Sequence, residues 1–341
     1  MKNTVYILIL FLLFSCGNEK EEQQKEPEQN KEIISQVEDT TFKAINNKIR
    51  NDIQNADLYI ERANMYIDMN DFESAKFDLD RAYHIDTTAL NPLLAFAEYW
   101  MKQGKLGYSL SVLEKTEQRY PKSSRVYEKY SELYLYGQDV EKSLRYADLA
   151  VKYDIYNAKA YYLKGYNFML KGDTTRAISS YQTAVEQDPD FFEAYVELGL
   201  IYAAKNDPLA IQYYNNALSI KPDDFSVLYS RGMYEQEHEM YNEAIQTYYL
   251  AKEKFPNRKE AHFNLGYIHL YYLKLYREGT KYFTDAIEVD PKDIQAYYNR
   301  GYCFELMGDI ANAEKDYRYA LKIDPTYTNA ALGLERVTSN L

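Results

Sequence analysis

Cysteine is nearly absent from this chain of 341 residues, which has only Cys16 and Cys303. Two cysteines so far apart do not resemble the disulfide framework of a small secreted domain. Cys303 is interpreted as a small buried apolar side chain. Glycine and proline are also scarce, at 13 and 9 residues, which disfavours collagen-like and turn-rich β architectures.

A cluster of positive charge is lacking too. The net charge is −12, and lysine and arginine are spread along the chain. Binding to nucleic acid needs a basic stripe that displaces counterions, and lying flat on an anionic lipid surface needs similar clusters. The composition therefore argues against both kinds of partner.

Recognisable catalytic and metal-binding patterns are missing as well. The sequence has no phosphate-binding loop, nucleophile elbow, Cys-x-x-Cys or His-Glu-x-x-His motif. His262 and His269 lie seven positions apart, about 10 Å along a helix, and are interpreted as packing residues. Asp78 and Asp80 are interpreted as acids on a helix surface. We therefore expect no enzyme activity, no metal and no cofactor.

The first fifteen residues have the three parts of an export signal. Lys2 supplies the positive charge, Val5 to Phe14 form a ten-residue apolar run, and Ser15 is the small residue before the cut. A membrane-spanning helix needs about 20 apolar residues, so this run is too short for one. Residues 16–32 contain no apolar residue after Cys16 and are expected to form a disordered acidic tether.

Most of the remaining chain repeats with a period of about 34 residues. In the segment 158–191, Tyr161, Gly165 and Phe168 share one helix face, and Gly172-Asp173 interrupts the helix. Ala177, Tyr181 and Ala184 then repeat the spacing before Pro189 ends the second helix. The same frame recurs eight times, with a small residue always at position 8, counted from the first residue of each repeat. The repeats are expected at 56–89, 90–123, 124–157, 158–191, 192–224, 225–258, 259–293 and 294–327.

This pattern resembles the tetratricopeptide repeat. The resemblance implies an all-α, right-handed superhelical solenoid of about eight helix–turn–helix repeats with capping helices. We call the two helices of each repeat helix A and helix B. Capping helices are expected at 33–55, through Phe42, Ile45, Ile49 and Ile53, and at 328–341. Repeat 5 is one residue short and repeat 7 one residue long. Glu235 stands in repeat 6 where an aromatic residue belongs. Either it is paired inside the protein and the curvature of repeats 5 to 7 is altered, or it reaches solvent without consequence.

The N-terminal segment Leu13-Phe14-Ser15-Cys16 resembles the lipobox of bacterial lipoproteins, although Phe14 is bulky for its place. The resemblance implies that residues 1–15 are removed and that Cys16 carries the lipid anchor. A plain secretory signal is the alternative. Gly17 after the cysteine favours the outer membrane of a Gram-negative bacterium. Lys20-Glu21-Glu22 leaves open whether the protein faces the periplasm or the cell surface.

In the tetratricopeptide family, helix A positions 5, 9 and 13 line a concave face. Here they form an apolar, aromatic row from repeat 4 onward, and more polar residues precede it. The alternative is that tight curvature lets these side chains cover one another. The predicted partner-binding residues are Tyr162, Tyr166, Leu170, Val196, Leu200, Tyr229, Met233, Phe263, Tyr267, Tyr271, Tyr298 and Tyr302.

These features predict a non-catalytic scaffold that binds a protein or peptide partner in its groove, for envelope assembly or secretion. Its only membrane contact would be the lipid anchor. The second interpretation is a surface glycan-binding lipoprotein of a polysaccharide-uptake system. Sugar-binding platforms favour tryptophan, and the chain has only Trp100, at a core position.

Overall fold

The computed structural model describes residues 28–339, with side chains from residue 40 onward. Within that range the regular structure consists of eighteen α-helices and one π-helical turn, and it contains no strand. The predicted all-α repeat fold is confirmed. The chain divides into two compact units, called unit 1, which ends at Pro189, and unit 2, which begins at Asp190.

The helices alternate as A and B partners after the first one. Unit 1 contains α1 (Glu28–Asn51), α2 (Ala56–Asp68), α3 (Phe72–Ile85), α4 (Leu90–Lys102), α5 (Leu106–Arg119), α6 (Ser124–Tyr136), α7 (Val140–Tyr153), α8 (Ala158–Leu170) and α9 (Thr174–Gln187). Unit 2 contains α10 (Phe192–Ala204), α11 (Leu209–Ile220), α12 (Phe225–Glu237), α13 (Tyr241–Lys254), α14 (Lys259–Tyr267), the π-helical turn (Ile268–Tyr272), α15 (Tyr276–Val289), α16 (Ile294–Leu306), α17 (Ile310–Ile323) and α18 (Thr328–Thr338). Each helix A begins at the first residue of a predicted repeat.

Small residues at position 8 let the two helices of a repeat approach closely. In repeat 6, a Cβ atom added to Gly232 would lie 2.6 Å from the ring of Tyr248 on helix B. Gly165 and Gly199 face Tyr181 and Tyr214 in the same way. Ala and Leu replace this pair in repeat 1, where Ala63 and Leu79 are both fully buried. The core is therefore built from matched pairs of residues on helices A and B.

The N-terminal capping helix differs from its predicted bounds. Helix α1 begins at Glu28, inside the segment expected to be a tether, because Glu, Gln and Lys favour helix even without apolar neighbours. It ends at Asn51, so Ile53 lies outside it and is exposed, whereas Ile45 and Ile49 are buried. The predicted signal peptide and Cys16 lie outside the described residues.

The two irregular repeats are accommodated in different ways. Repeat 5 has a short helix B, Leu209–Ile220, that begins directly after Pro208. The additional residue of repeat 7 is absorbed by the π-helical turn at the end of helix A, where the hydrogen bonds widen by one residue. Leu273 then donates its backbone N–H to the Ile268 carbonyl oxygen over 3.0 Å.

Glu235 is buried, so the expectation that it reaches solvent is wrong. Thr247 Oγ1 donates to its carboxylate over 2.6 Å, and Arg231 Nε lies 3.3 Å from the other oxygen. Burial raises the pKa of Glu235, and these two partners act against that effect. The carboxylate is tolerated because both of its oxygens are partnered.

The packing expectations for Cys303, His262 and His269 are met, whereas Asp78, expected on a helix surface, is buried. Cys303 is fully buried, and burial raises the pKa of its thiol to about 12. His262 and His269 are buried beside the carbonyl oxygens of Pro256 and Leu265. No helix within residues 28–339 has both the length and the apolar character needed to cross a membrane.

Candidate binding groove

The twelve predicted groove residues lie on the helix A elements of repeats 4 to 8. Three belong to α8 in unit 1, and nine belong to α10, α12, α14, the π-helical turn and α16 in unit 2. None of the twelve is buried, whereas neighbouring core positions such as Leu198, Leu228 and Leu265 are. The helical period of 3.6 residues separates the two sets, because it turns core and groove positions to different sides of each helix.

In unit 2, five of the predicted aromatic side chains form a continuous series of ring contacts. Ring centroids of Phe263 and Tyr267 are 6.4 Å apart, and those of Tyr267 and Tyr271 are 4.5 Å apart. Tyr271 lies 6.2 Å from Tyr302, which stacks nearly parallel to Tyr298 at 6.2 Å. We call this series the aromatic ladder. The rings do contact one another, as the alternative interpretation expected, but every one of them keeps exposed surface.

An open cleft of about 530 Å³ lies at the end of the aromatic ladder. Its lining is Tyr271, Tyr298, Tyr302, Glu305, Leu306 and Arg336. Arg336 comes from the C-terminal helix α18 and donates two hydrogen bonds of 2.8 Å to Glu305, which also accepts one from Tyr317. Burial acts to raise the pKa of Glu305, but these hydrogen bonds outweigh it and the pKa lies below its usual value. The C-terminal helix therefore places a fixed ion pair at the end of the groove.

Position 6 of helix A contributes polar residues that the sequence reasoning missed. Asn264 and Asn299 occupy it in repeats 7 and 8, and both are buried. Tyr271 Oη donates to Asn299 Oδ1 over 2.9 Å, which fixes one ring of the aromatic ladder. Asparagine inside a helix has low propensity, so its recurrence at one repeat position was a usable signal.

Two carboxylates on the helix A elements of unit 2 have no cationic partner among the described residues. Glu260 lies beside Tyr229, whose pKa is raised mainly by burial and further by that negative charge. The Oε2 atom of Glu260 is enclosed and lacks a hydrogen-bond partner within the described chain. Burial raises the pKa of Glu197 to about 6. Glu260 therefore adds a negative charge next to the aromatic residues of the unit 2 groove.

Unit 1 has a different inner surface, where the acids are already neutralised. Lys129 lies 2.7 Å from both Glu98 and Glu132, and Lys159 lies 2.5 Å from Glu132. Burial acts to lower the pKa of Lys129, but the carboxylates outweigh it and raise the pKa above its usual value. Such internally paired charges leave little attraction for a charged ligand.

The aromatic groove residues of unit 1 are confined to α8. The ring centroid of Tyr162 lies 6.5 Å from that of Tyr166 and 5.6 Å from that of Tyr181. Leu170 ends the row and is 48% exposed. Trp100 is half-buried at the edge of the core and stacks on the exposed Tyr108 at 5.1 Å, so its expected core position is met only in part.

Among the described residues, no group of three or more His, Cys, Asp or Glu side chains is arranged to hold a metal ion. What the groove offers is ring faces, apolar edges and carboxylates. These groups bind side chains by contact and charge, and their arrangement suits recognition of a polypeptide segment.

Comparison with protein families finds the tetratricopeptide repeat in several places. One description of the repeat matches residues 56–88, 192–224 and 259–293, another matches 294–327, and a third, described as TPR repeat, matches 165–206. The matches therefore fall in both units of the chain.

Curated relatives are distant and longer than this chain. The human cell division cycle protein 16 homolog is 26% identical over 209 residues, which are 58% of this chain and 34% of that protein. The DnaJ homolog subfamily C member 7 homolog of Schizosaccharomyces pombe is 22% identical over 304 residues, which are 83% of this chain and 59% of that protein. The chain thus spans about a third of the first relative and about three fifths of the second.

Among solved structures, the C-terminal part of a TPR repeat-containing protein from Cytophaga hutchinsonii is similar. The TM-score is 0.61 at 22% identity, and the match covers 71% of this chain and 99% of the other. At this identity the similarity establishes the fold and leaves the function open.

Proposed function

Because the chain is a tetratricopeptide-repeat protein, we propose that it is a non-catalytic scaffold that holds a peptide segment of a partner protein. Tetratricopeptide-repeat proteins generally act as scaffolds for protein interactions. The observation that carries the proposal is the aromatic ladder from Phe263 to Tyr298 with the cleft at its end. Aromatic anchors in such a groove each contribute about 2 kcal/mol or more to binding.

The chemistry of the groove favours a partner segment with apolar side chains and at least one lysine or arginine. Glu260 is a carboxylate near Tyr229 that has no cationic partner in the described chain, and cations are attracted to carboxylates and to aromatic ring faces. A cationic side chain of the partner would balance this charge. Unit 1 lacks this attraction because its lysines already neutralise its acids.

The proposed place of action is the cell envelope, with the protein held by a lipid on Cys16. The lipobox resemblance at Leu13-Phe14-Ser15-Cys16 supports this part of the proposal. A protein with two or more acyl chains stays on a membrane. A flexible segment after the lipidated cysteine would let the folded units extend away from the membrane surface. An outer-membrane scaffold that holds a partner during envelope assembly or secretion would use both the lipid anchor and the binding groove.

Cross-linking in native membranes tests the groove. The full-length chain is compared with the variant Tyr267→Ser/Tyr302→Ser, which removes two rings of the aromatic ladder. The matched control is Tyr249→Ser/Tyr319→Ser, which removes two tyrosines of helix B that are both 39% exposed. We expect the partner to be lost from the groove variant by at least tenfold and retained by the control.

Equal capture of one partner by the wild type and both variants would show that the groove is not the binding surface. Capture of a polysaccharide, with no protein lost from the groove variant, would instead favour the glycan-binding interpretation. Circular dichroism of each variant confirms that the helices remain intact, since all four tyrosines are partly exposed.

A further inference from the structure

Position 4 of helix A carries a tyrosine in five of the eight repeats, and repeat 7 has His262 there. Tyr127 Oη donates to the carbonyl oxygen of Pro121 over 2.8 Å, and Tyr59 makes the same kind of contact in repeat 1. His262 Nε2 lies 3.1 Å from the carbonyl oxygen of Pro256. In all three repeats the acceptor lies six residues upstream, so the histidine takes the place of the tyrosine hydroxyl.

The second ring nitrogen of His262 faces a carboxylate. Nδ1 lies 3.5 Å from Asp285 Oδ2 on α15, helix B of the same repeat. This nitrogen is enclosed and makes no hydrogen bond within the described chain, and the residue as a whole is 7% exposed. A tyrosine side chain has one polar atom, so it could not make this second contact.

Both ring nitrogens of His262 therefore lie beside an oxygen that can only accept a hydrogen bond. A neutral imidazole carries one proton, so whichever nitrogen holds it, the other leaves a lone pair beside an oxygen. The imidazolium ion carries two protons and can donate to both oxygens. Burial opposes a charge on the ring, and the carboxylate of Asp285 supplies the opposite charge that a buried cation needs.

Other charged groups surround this contact. On α13, helix B of repeat 6, Lys252 Nζ lies 3.7 Å from Asp285 Oδ2 and competes with the histidine ring for that carboxylate. On α14 itself, Lys259 pairs with Asp290 over 2.6 Å and with Asp293 over 2.9 Å. These two acids are therefore already neutralised, and Asp285 is the carboxylate that the ring can reach.

Two tyrosines lie on the other side of the carboxylate. Tyr249 and Tyr282 share a hydrogen bond between their hydroxyl groups, and Lys252 Nζ lies 5.6 and 5.4 Å from their ring centroids. Burial, the hydrogen bond with Tyr249 and the charge of Asp285 all raise the pKa of Tyr282, so its phenol stays neutral at ordinary pH. The change of charge at this contact near neutral pH is therefore the protonation of His262.

We propose that His262 is a pH-sensitive switch that joins helices A and B of repeat 7. As the pH falls through the range in which histidine takes up a proton, the ring comes to bridge the Pro256 carbonyl oxygen and the Asp285 carboxylate. Helix α14 also carries Phe263 and Tyr267 of the aromatic ladder, so the switch acts on the helix that presents these rings. This inference does not depend on what the groove binds.

Thermal unfolding of the full-length chain between about pH 5 and 8 tests the proposal. His262→Tyr restores the residue of the other repeats, which can donate to the Pro256 carbonyl oxygen, and removes the titratable ring. The melting temperature of the wild type relative to this variant should rise by about 2–4 °C as the pH falls across the range. Asp285→Asn should remove that rise, because the protonated ring then lacks its anion. Lys252→Gln should enlarge it, because a competing cation is gone.

The matched control is His269→Phe. His269 is also a buried histidine of repeat 7, but its Nδ1 lies 2.7 Å from the Leu265 carbonyl oxygen and its ring contacts Tyr282. Within the described chain it forms no ion pair with a carboxylate. The wild type should therefore gain nothing over His269→Phe as the pH falls, since burial by itself favours the neutral ring.

A pH-independent difference between the wild type and His262→Tyr would overturn the proposal. The same holds if the rise at low pH persists when Asp285→Asn is present in both proteins. Should the tyrosine variant not fold, His262→Gln gives the same comparison, because its amide can donate to the Pro256 carbonyl oxygen and does not titrate.

Discussion

Glycine at position 8 illustrates how one atom sets the packing of a whole repeat. The ring of Tyr248 occupies the space that a Cβ atom on Gly232 would need. The Tyr248 ring is fully buried, so it cannot move aside into solvent. In repeat 1 the same contact joins Ala63 to a leucine, which is narrower than a tyrosine ring. Glycine with tyrosine and alanine with leucine are therefore two solutions for one spacing between helices.

Gly232→Ala should destabilise the protein by about 1–3 kcal/mol, because the added methyl group forces the Tyr248 ring or helix A to move. Urea unfolding followed by circular dichroism measures the change. Adding Tyr248→Leu should recover part of the loss, since it recreates the pair found in repeat 1.

Gly107→Ala provides the control, because nothing lies within 4 Å of the Cβ atom it would add. It lies inside α5, where alanine is preferred, so a gain of up to about 1 kcal/mol is expected. Equal losses from both substitutions would contradict the close approach of the helices in repeat 6.

Glu197 makes stability depend on pH at the level of a single residue. Burial raises its pKa from 4.5 to about 6, so the folded state holds the proton more tightly than the unfolded state. Stability is therefore full below about pH 4.5 and falls by about 2 kcal/mol as the pH rises through 6.

Glu197→Gln should remove this dependence. The variant is expected to be about 2 kcal/mol more stable than the wild type at pH 7 and equal to it near pH 4. Unfolding in urea at several pH values checks both points. A difference that stays constant with pH would show that the charge of Glu197 is not the cause.

At the scale of elements, the residue before each helix B divides the repeats into those with a side-chain cap and those without one. Asp71, Asp139, Asp173 and Asp309 cap their helices. Hydrogen bonds from the side chain and the backbone N–H of the third helical residue lower the pKa of Asp71, Asp139 and Asp173. For Asp309 the structure shows the same capping geometry toward Asn312 N at 3.3 Å. Leu275, at the same position of repeat 7, makes no side-chain cap hydrogen bond.

 

Lys105 and Met240 also occupy this position in repeats 2 and 6 without making a side-chain cap hydrogen bond.

Leu275→Asp should stabilise the protein by about 1 kcal/mol, because it supplies the cap that α15 lacks and removes little buried surface. The melting temperature measures this gain. Asp173→Leu is the reverse change in repeat 4 and should cost about the same amount.

At the scale of the whole molecule, the expected anchor and the folded units have separate tasks. The units carry the proposed binding groove, and the lipobox-like segment is expected to determine where it acts. One residue, Cys16, is expected to connect the two tasks.

Cys16→Ser should move the protein from the membrane fraction to the soluble fraction or leave it with an uncut leader. Cell fractionation and the mass of the N-terminal peptide measure both results. Cys303→Ser is the matched control, because it changes the only other cysteine, which is buried, and should leave the location unchanged. A Cys16→Ser protein with an unaltered N-terminal mass and location would rule out the lipid anchor.

Local periodicity was sufficient to predict the helices and the face that holds the groove. The first residue of every helix A followed from the 34-residue repeat, because small and aromatic residues recur at fixed positions. The ends of α1 did not follow from it, since helix propensity extends a helix beyond its apolar stripe. At the other end α1 stops at Asn51, so Ile53 lies outside the helix and is exposed although its spacing matches the stripe.

Polar residues inside the protein were harder to predict. Asp78 is buried, although the sequence suggested a surface acid, because Arg62 of helix A donates two hydrogen bonds to it over 2.7 and 2.6 Å. Glu235 is buried through Thr247 and Arg231 in a similar way. In both cases a residue 12 or 16 positions away supplies the partner, so the local pattern does not show it.

The sequence by itself determined the repeat, the all-α fold and the row of groove residues, because each depends on spacing within one helical hairpin. Only the tertiary structure decided which acids are paired, which tyrosines form the aromatic ladder and which histidine lies beside a carboxylate. Those outcomes depend on side chains that different helices bring together. Spacing along one helix sets the direction of a side chain, and the neighbouring helices decide what it meets there.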